Sequence, residues 1–175
     1  MKVLLNADQI DQAVQSLAEA IATDVGQGDG VAVVGIRSRG EQLGQRLATL
    51  ISTRLNETVP YGALDITLYR DDLNDPHGTG QPVVRTTEID FDIDNKTVVL
   101  VDDVLFTGRS TRAALDALIA LGRPKAIRLA VLVDRAGREF PIQPDYTGLR
   151  TDVGTDHRIH VHLIESDGED EVLIE

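Results

Sequence analysis

The chain has 175 residues, 42% of them hydrophobic, which is enough for one domain with a sizeable core. The absence of cysteine excludes disulfides, thiolate metal sites and a cysteine nucleophile. A formal net charge of −12 opposes long-range attraction to nucleic acid, and no apolar run approaches the roughly 20 residues of a membrane span. A soluble, cytoplasmic protein with no membrane association is therefore expected.

In chain order, Asn6-Ala7-Asp8-Gln9 reads as a capping box, and Ile10, Val14, Leu17, Ile21 and Val25 follow at three- and four-residue steps. This pattern predicts an amphipathic helix ending near Gly26. Val31 to Ile36 is a continuous apolar run suited to a buried strand, and Gly35 to Gly40 reads as the loop after it. Leu43, Leu47, Leu50, Ile51 and Leu55 place one stripe on a second helix. A strand is expected around Ala63 to Leu68, and "YRDDLNDPHGTGQPVVR" then reads as a long loop of functional or disordered character.

Val98 to Val101 predicts a central strand, feeding a helix from about Ser110 to Leu121 that Gly122 and Pro124 terminate. Ala126 to Val133 and Ile159 to Ile164 are further strands. The acidic run from Glu165 to Glu175 reads as a solvated tail, pinned by Val172, Leu173 and Ile174. Alternating strands and helices favour an α/β fold with a mainly parallel central sheet flanked by helices, as one domain over residues 1–175. Ligands in such sheets sit beyond the carboxyl ends of the strands, where Arg37 to Gly40, Asp102 to Thr111 and Asp134-Arg135 converge.

"VVLVDDVLFTGRST", residues 98–111, carries the densest chemistry. Asp102 and Asp103 end an apolar strand, and adjacent carboxylates there need partners or solvent; the vicinal hydroxyls of a ribose suit them. Phe106 to Thr111 then open onto a helix N-terminus, where unspent amide donors and the helix dipole favour a phosphate. The hydroxyls of Thr107, Ser110 and Thr111 add donors, and Gly108 permits close approach. Asp, Thr, Gly and Ser equally serve an ordinary solvated turn. The P-loop and dinucleotide fingerprints are missing from the chain.

The same stretch resembles the ribose-phosphate signature of the type I phosphoribosyltransferases. With "VVGIRSRG", "DITLYRDDL", "RPKAIRLAVLVDR" and "REFPIQPDY", the likeness from about Val33 to Tyr146 is to the PyrR family. That resemblance implies the type I phosphoribosyltransferase fold with a mobile hood loop. It also implies uracil phosphoribosyltransferase activity, in which uracil and phosphoribosyl pyrophosphate (PRPP) give UMP and pyrophosphate with Mg2+ and few direct protein ligands to the metal. By the same resemblance Asp102, Asp103 and Arg39 are the catalytic candidates. Ser38, Arg39, Asp102, Asp103, Val104, Leu105, Phe106, Thr107, Gly108, Arg109, Ser110 and Thr111 would hold PRPP or nucleotide. Arg70 and Arg85 belong to the hood loop, and Asp134, Arg135 and Ile159 lie on the base side. Phe106 stands where purine enzymes of this type carry an acid, which makes a purine substrate less favoured.

The family likeness further implies regulation of a pyrimidine operon through leader mRNA, under control of UMP or UTP, and a homo-oligomer of two or more chains. Arg135, Arg138 and Arg150 are the RNA candidates. The sequence argues against the family's use of the first helix, since Lys2 is the only base in the first 30 residues. An alternative reading is a pyrimidine or purine phosphoribosyltransferase with no RNA-binding role. His157, His160 and His162 share strand spacing, but no cysteine or evident carboxylate completes a metal set with them.

Overall fold

The computed structural model describes residues 1–28, 30–71 and 87–175. The chain opens with β1 (Lys2–Leu5) and α1 (Ala7–Val25), continues through β2 (Val31–Ile36), α2 (Arg39–Leu55) and β3 (Tyr61–Leu64), and makes a 3-10 turn over Thr67–Tyr69. Then follow β4 (Thr97–Leu105), α3 (Arg109–Leu121), β5 (Ala126–Arg135), β6 (Tyr146–Thr151), β7 (Ile159–His162), α4 (Ile164–Asp167) and β8 (Glu171–Ile174). A five-stranded sheet has the order β3-β2-β4-β5-β6 with every pairing parallel, and a smaller sheet has the order β1-β8-β7 with antiparallel pairings.

The expected capping box at α1 is present: Gln9 N donates to Asn6 Oδ1 and Asn6 N to Gln9 Oε1, both at 2.9 Å. The predicted stripe from Ile10 to Val25 is its buried face. Alternate residues of the parallel sheet point to opposite faces, so two cores form. Val33, Val99, Val101 and Leu132 face α1, α2 and the small sheet, while Val34, Val98, Leu100 and Val131 face α3. Gly35 sits inside a buried strand because α2 starts directly over it. A Cβ there would come within 2.3 Å of the Gly40 carbonyl oxygen, and one on Gly40 within 2.5 Å of the Val101 oxygen. The amino end of α2 is thereby pressed against β2 and β4.

Several boundaries differ from the sequence expectation. The strand foreseen at Ala63 to Leu68 stops at Leu64 because Asp65 intervenes, its Oδ1 accepting from Thr67 N at 3.0 Å and Thr67 Oγ1 at 2.6 Å. β4 runs on past Val101 to Leu105, since β5 continues to pair with it as far as Asp134. The acidic tail is exposed from Glu165 to Glu169 and pinned by Val172 and Leu173 as expected, but it is structured: it forms α4 and β8, and β8 is the middle strand of the small sheet with Val172 fully buried. Charge masked that strand, because three apolar residues amid acids give no clear period. Most of the loop expected over 70–85, including Arg85, lies outside the described residues. Among the described residues no helix is long and apolar enough to cross a membrane.

Candidate active site

β2 leads to β3 on one side of the sheet and β4 to β5 and β6 on the other, so the strand order reverses between β2 and β4. A crevice opens at such a point, beyond the carboxyl ends of the two strands. Because β4 outruns β2, Asp102 and Asp103 stand over that crevice while still in strand conformation. They line a cavity of about 250 Å³ together with Arg37, Ser38, Arg39, Asp65, Thr67 and Arg70. Asp102, Val104 and Ser110 also border a second cavity of about 140 Å³, completed by Leu105, Phe106, Thr107, Gly108 and Thr111. The two cavities adjoin at these shared residues.

The carboxylates are in an uncomfortable arrangement. Asp102 Oδ1 accepts from Asp103 N at 2.9 Å and Asp103 Oδ1 from Val104 N at 2.8 Å, and the two carboxyl groups are close enough to interact with each other. Burial first, and the adjacent charge of Asp103 second, push the Asp102 carboxyl well above the usual aspartate range. A hydroxyl-rich ligand or a cation relieves that strain.

The next segment offers the opposite chemistry. Gly108 takes the N-cap position of α3 at φ 91° and has no side chain to cap it, no acid lies in the first turn, and Thr107 Oγ1 accepts from Arg109 N at 3.2 Å. An anion bearing several acceptor oxygens can meet the first-turn amides and the Ser110 and Thr111 hydroxyls together. The carbonyl of Thr107 is held by the amides of Glu139 at 2.9 Å and Phe140 at 3.0 Å, which fixes the loop. Arg109 departs from the other members of the motif. Its guanidinium turns outward to Glu139 at 2.8 Å, to Asp71, and to the face of Phe140 at 4.6 Å. Leu105 contributes backbone only, since its side chain is in the core beside α3.

Phe106 defines one wall. The Arg135 guanidinium lies 4.1 Å from its ring centre, and a Cβ on Gly137 would come within 2.4 Å of the ring. Arg135 is buried; its Nη1 donates to the His157 carbonyl at 3.0 Å and its Nη2 to the Gly154 carbonyl at 2.7 Å. Asp134, also buried, pairs with Arg138 at 2.6 Å and Arg150 at 3.4 Å. Arg138 in turn donates to the Phe106 carbonyl at 2.6 Å and the Ile142 carbonyl at 2.6 Å. Of the three arginines singled out for RNA, two therefore spend their donors inside the protein, and Arg150 alone is largely exposed, at 74%. Ile159 starts β7 opposite Ile174 and packs against the core; it is absent from the cavity that Asp134 and Arg135 border.

Asp65 and Thr67 are wall residues that strand patterning misread, although Asp-x-Thr is a turn signature. Asp167 went unrecognised as a contact to Arg39, at 2.9 Å, because no local signal links positions so distant in the chain. His162, Glu169 and Glu171 bring ligand atoms within 4.8 Å of one another, whereas His160 pairs with Glu175 at 2.9 Å.

A family model described as a phosphoribosyl transferase domain matches residues 2–163. A protein of Syntrophobacter fumaroxidans called bifunctional protein PyrR is 48% identical over 174 residues, covering 99% of this chain and 92% of its own. One of the same name from Chloroflexus aurantiacus is 50% identical over 173 residues, covering 99% and 94%. Among solved structures, the hypoxanthine phosphoribosyltransferase of Trypanosoma cruzi superposes with a TM-score of 0.74 at 16% identity, covering 99% of this chain and 95% of that one. A purine phosphoribosyltransferase of Pyrococcus horikoshii gives 0.62 at 26% identity, covering 84% and 85%.

Proposed function

The chain belongs to the phosphoribosyltransferase family and, within it, to the PyrR proteins, and from that premise we propose that the crevice between β2 and β4 carries out its uracil phosphoribosyltransferase reaction. N1 of uracil attacks C1 of PRPP as the bond from C1 to the pyrophosphate oxygen breaks, and the N1 proton passes to solvent or to the departing pyrophosphate, giving UMP and pyrophosphate. The observation that carries this reading is the placing of two carboxylates and an uncapped helix N-terminus on two adjoining cavities that share Asp102, Val104 and Ser110. A ribose 5-phosphate has that polarity: hydroxyls at one edge for Asp102 and Asp103, phosphate at the other for the amides of Thr107 to Thr111.

The reacting sugar gains positive character as pyrophosphate departs, so the protein's task is to orient and to match charge. Asp102 and Asp103 fix the ribose and favour its developing charge. Arg39, with Ser38 beside it, meets the negative charge that grows on the leaving group, and Arg70 lines the same cavity. The residues fit a magnesium ion carried by PRPP, since the wall offers hard oxygen donors and an unrelieved carboxylate pair. When bound, such an ion supplies positive charge beside the pyrophosphate. On the base side, Phe106 presents a ring face held by Arg135 and Gly137 and has no proton to exchange with a base, which favours a pyrimidine.

Release of pyrophosphate from PRPP, assayed against a panel of uracil, orotate, hypoxanthine and guanine, tests the reading. Uracil alone should support turnover. Replacing both carboxylates, Asp102→Asn with Asp103→Asn, should lower kcat/KM by at least roughly a hundredfold, as two charged hydrogen bonds of about 1.5–3 kcal/mol each are weakened. Full activity in that double variant contradicts the assignment.

A second function is favoured by the relatives' description as bifunctional. It is nucleotide-governed binding of the leader mRNA of a pyrimidine operon by a homo-oligomer, with Arg150 the most exposed of the candidate arginines. UMP should strengthen binding in gel shifts, and log affinity should fall with log salt. Binding unaffected by UMP at low salt counts against it.

A further inference from the structure

Arg39 opens α2 and lines the ribose-phosphate cavity, and its guanidinium is anchored from outside that cavity. Nη2 donates to Asp167 Oδ1 at 2.9 Å, across 128 positions of sequence. Asp167 is itself fixed: its other oxygen accepts from Leu163 N at 2.8 Å and from Ser166 Oγ at 3.0 Å. Arg39 Nε is buried and has no protein partner, and Asp167 engages the guanidinium through Nη2.

The segment that presents Asp167 is bolted to the same helix. Arg46 lies two turns beyond Arg39 on α2, on the same face. It holds Glu165 through Nε at 2.7 Å and Nη2 at 2.6 Å, and Asp170 through Nη1 at 2.8 Å and Nη2 at 2.8 Å. Asp170 Oδ1 also accepts from Ile164 N at 2.8 Å, closing the turn around α4. Two arginines thus grip residues 163–170, but only one of them faces the cavity. The Arg46 clamp ties the segment down through Glu165 and Asp170, and Asp167 reaches Arg39 by a separate contact.

We propose that Asp167 is a positioning residue for catalysis: it holds the Arg39 guanidinium at the cavity wall before PRPP arrives, so that its unspent donors meet the pyrophosphate without reorganisation. The inference rests on the reading of Arg39 as the pyrophosphate-facing arginine. An arginine left to wander over its rotamers must be ordered at each turnover, and misplacement by about an ångström is enough to slow a reaction strongly. Asp167→Asn keeps the size and one acceptor for the Leu163 amide while removing the charge that attracts Arg39.

The test is steady-state kinetics with PRPP and uracil varied separately on four variants, with Tm measured for each. Asp167→Asn should raise KM for PRPP about tenfold and leave KM for uracil within about twofold. Arg39→Ala should raise KM for PRPP at least as much, and adding Asp167→Asn to it should cost nothing further, because the two residues act as one unit. Asp170→Asn, which loosens the same segment without touching Arg39, should lower Tm and leave KM for PRPP unchanged. An unaltered KM in Asp167→Asn, beside a raised one in Arg39→Ala, overturns the positioning role alone. A loss matched by Asp170→Asn, or fully additive to Arg39→Ala, also overturns it, since it then reflects general loosening. Arg39→Ala with normal KM for PRPP removes the pyrophosphate reading of Arg39 and this inference together.

Discussion

Asp102 is where function opposes stability most directly. Its carboxyl is pushed up by burial and by the neighbouring charge of Asp103, so it holds a proton more tightly folded than unfolded. The sign follows from linkage: the native state binds more protons than the unfolded chain in this window, so stability is full at low pH. It falls as pH rises from the unfolded value near about 3.9 through the raised folded one. Asp102→Asn removes the ionisation and should raise Tm by a few degrees at pH 8, with the gain shrinking toward zero near pH 4. Thermal melts of both proteins across that range check it, and a variant less stable than its parent at pH 8 contradicts it. That an aspartate pair sits at the end of an apolar strand was legible in the sequence. Its geometry was not, because β4 was read as ending at Val101, and only pairing to β5 carries the strand through the acids.

Among the elements, α2 and the C-terminal segment show where local patterning ceases to inform. The stripe of Leu43, Leu47, Leu50, Ile51 and Leu55 locates α2 from sequence alone; all are buried except Leu50, which is half-buried, and Gly40, Gly44 and Ala48 complete the buried face. The ring of acids around Val172 and Leu173 conceals β8, whose place in the small sheet is fixed by pairing to β1 and β7 and by Arg46 binding the acids just before it. Arg46 holds both Glu165 and Asp170 below the usual carboxylate range through direct hydrogen bonds. Such depressed groups contribute stability that is present above their unfolded values and lost as pH falls through the folded ones. Arg46→Met should therefore lower stability at pH 7 by about 2 kcal/mol, the scale of charge-assisted hydrogen bonds in a partly exposed site. The difference should close below about pH 4 as the carboxyls protonate. A pH-independent difference in denaturant midpoint contradicts this origin.

At the scale of the whole molecule, the two sheets are not separate bodies. Leu5, Val161 and Val172 of the small sheet share one core with Val33, Val99 and Leu132 of the large one, and β7 touches β4 directly. We therefore propose a single folding unit over residues 1–175, which predicts one calorimetric transition with equal calorimetric and van't Hoff enthalpies; two resolved transitions contradict it. The same shared core makes the C-terminal segment a rigid bracket for the crevice. The net charge of −12 has a further consequence at this scale: the general field repels phosphates, and an anionic ligand must be captured by local donors such as Arg39 and the amides at the start of α3.

The most direct measurement is a crystal structure of the protein with UMP bound. The account predicts the 5′-phosphate within hydrogen-bond distance of the amides of Thr107 to Thr111, the ribose hydroxyls on Asp102 and Asp103, and the pyrimidine beside Phe106. UMP lodged elsewhere, with those amides and both carboxylates untouched, contradicts it.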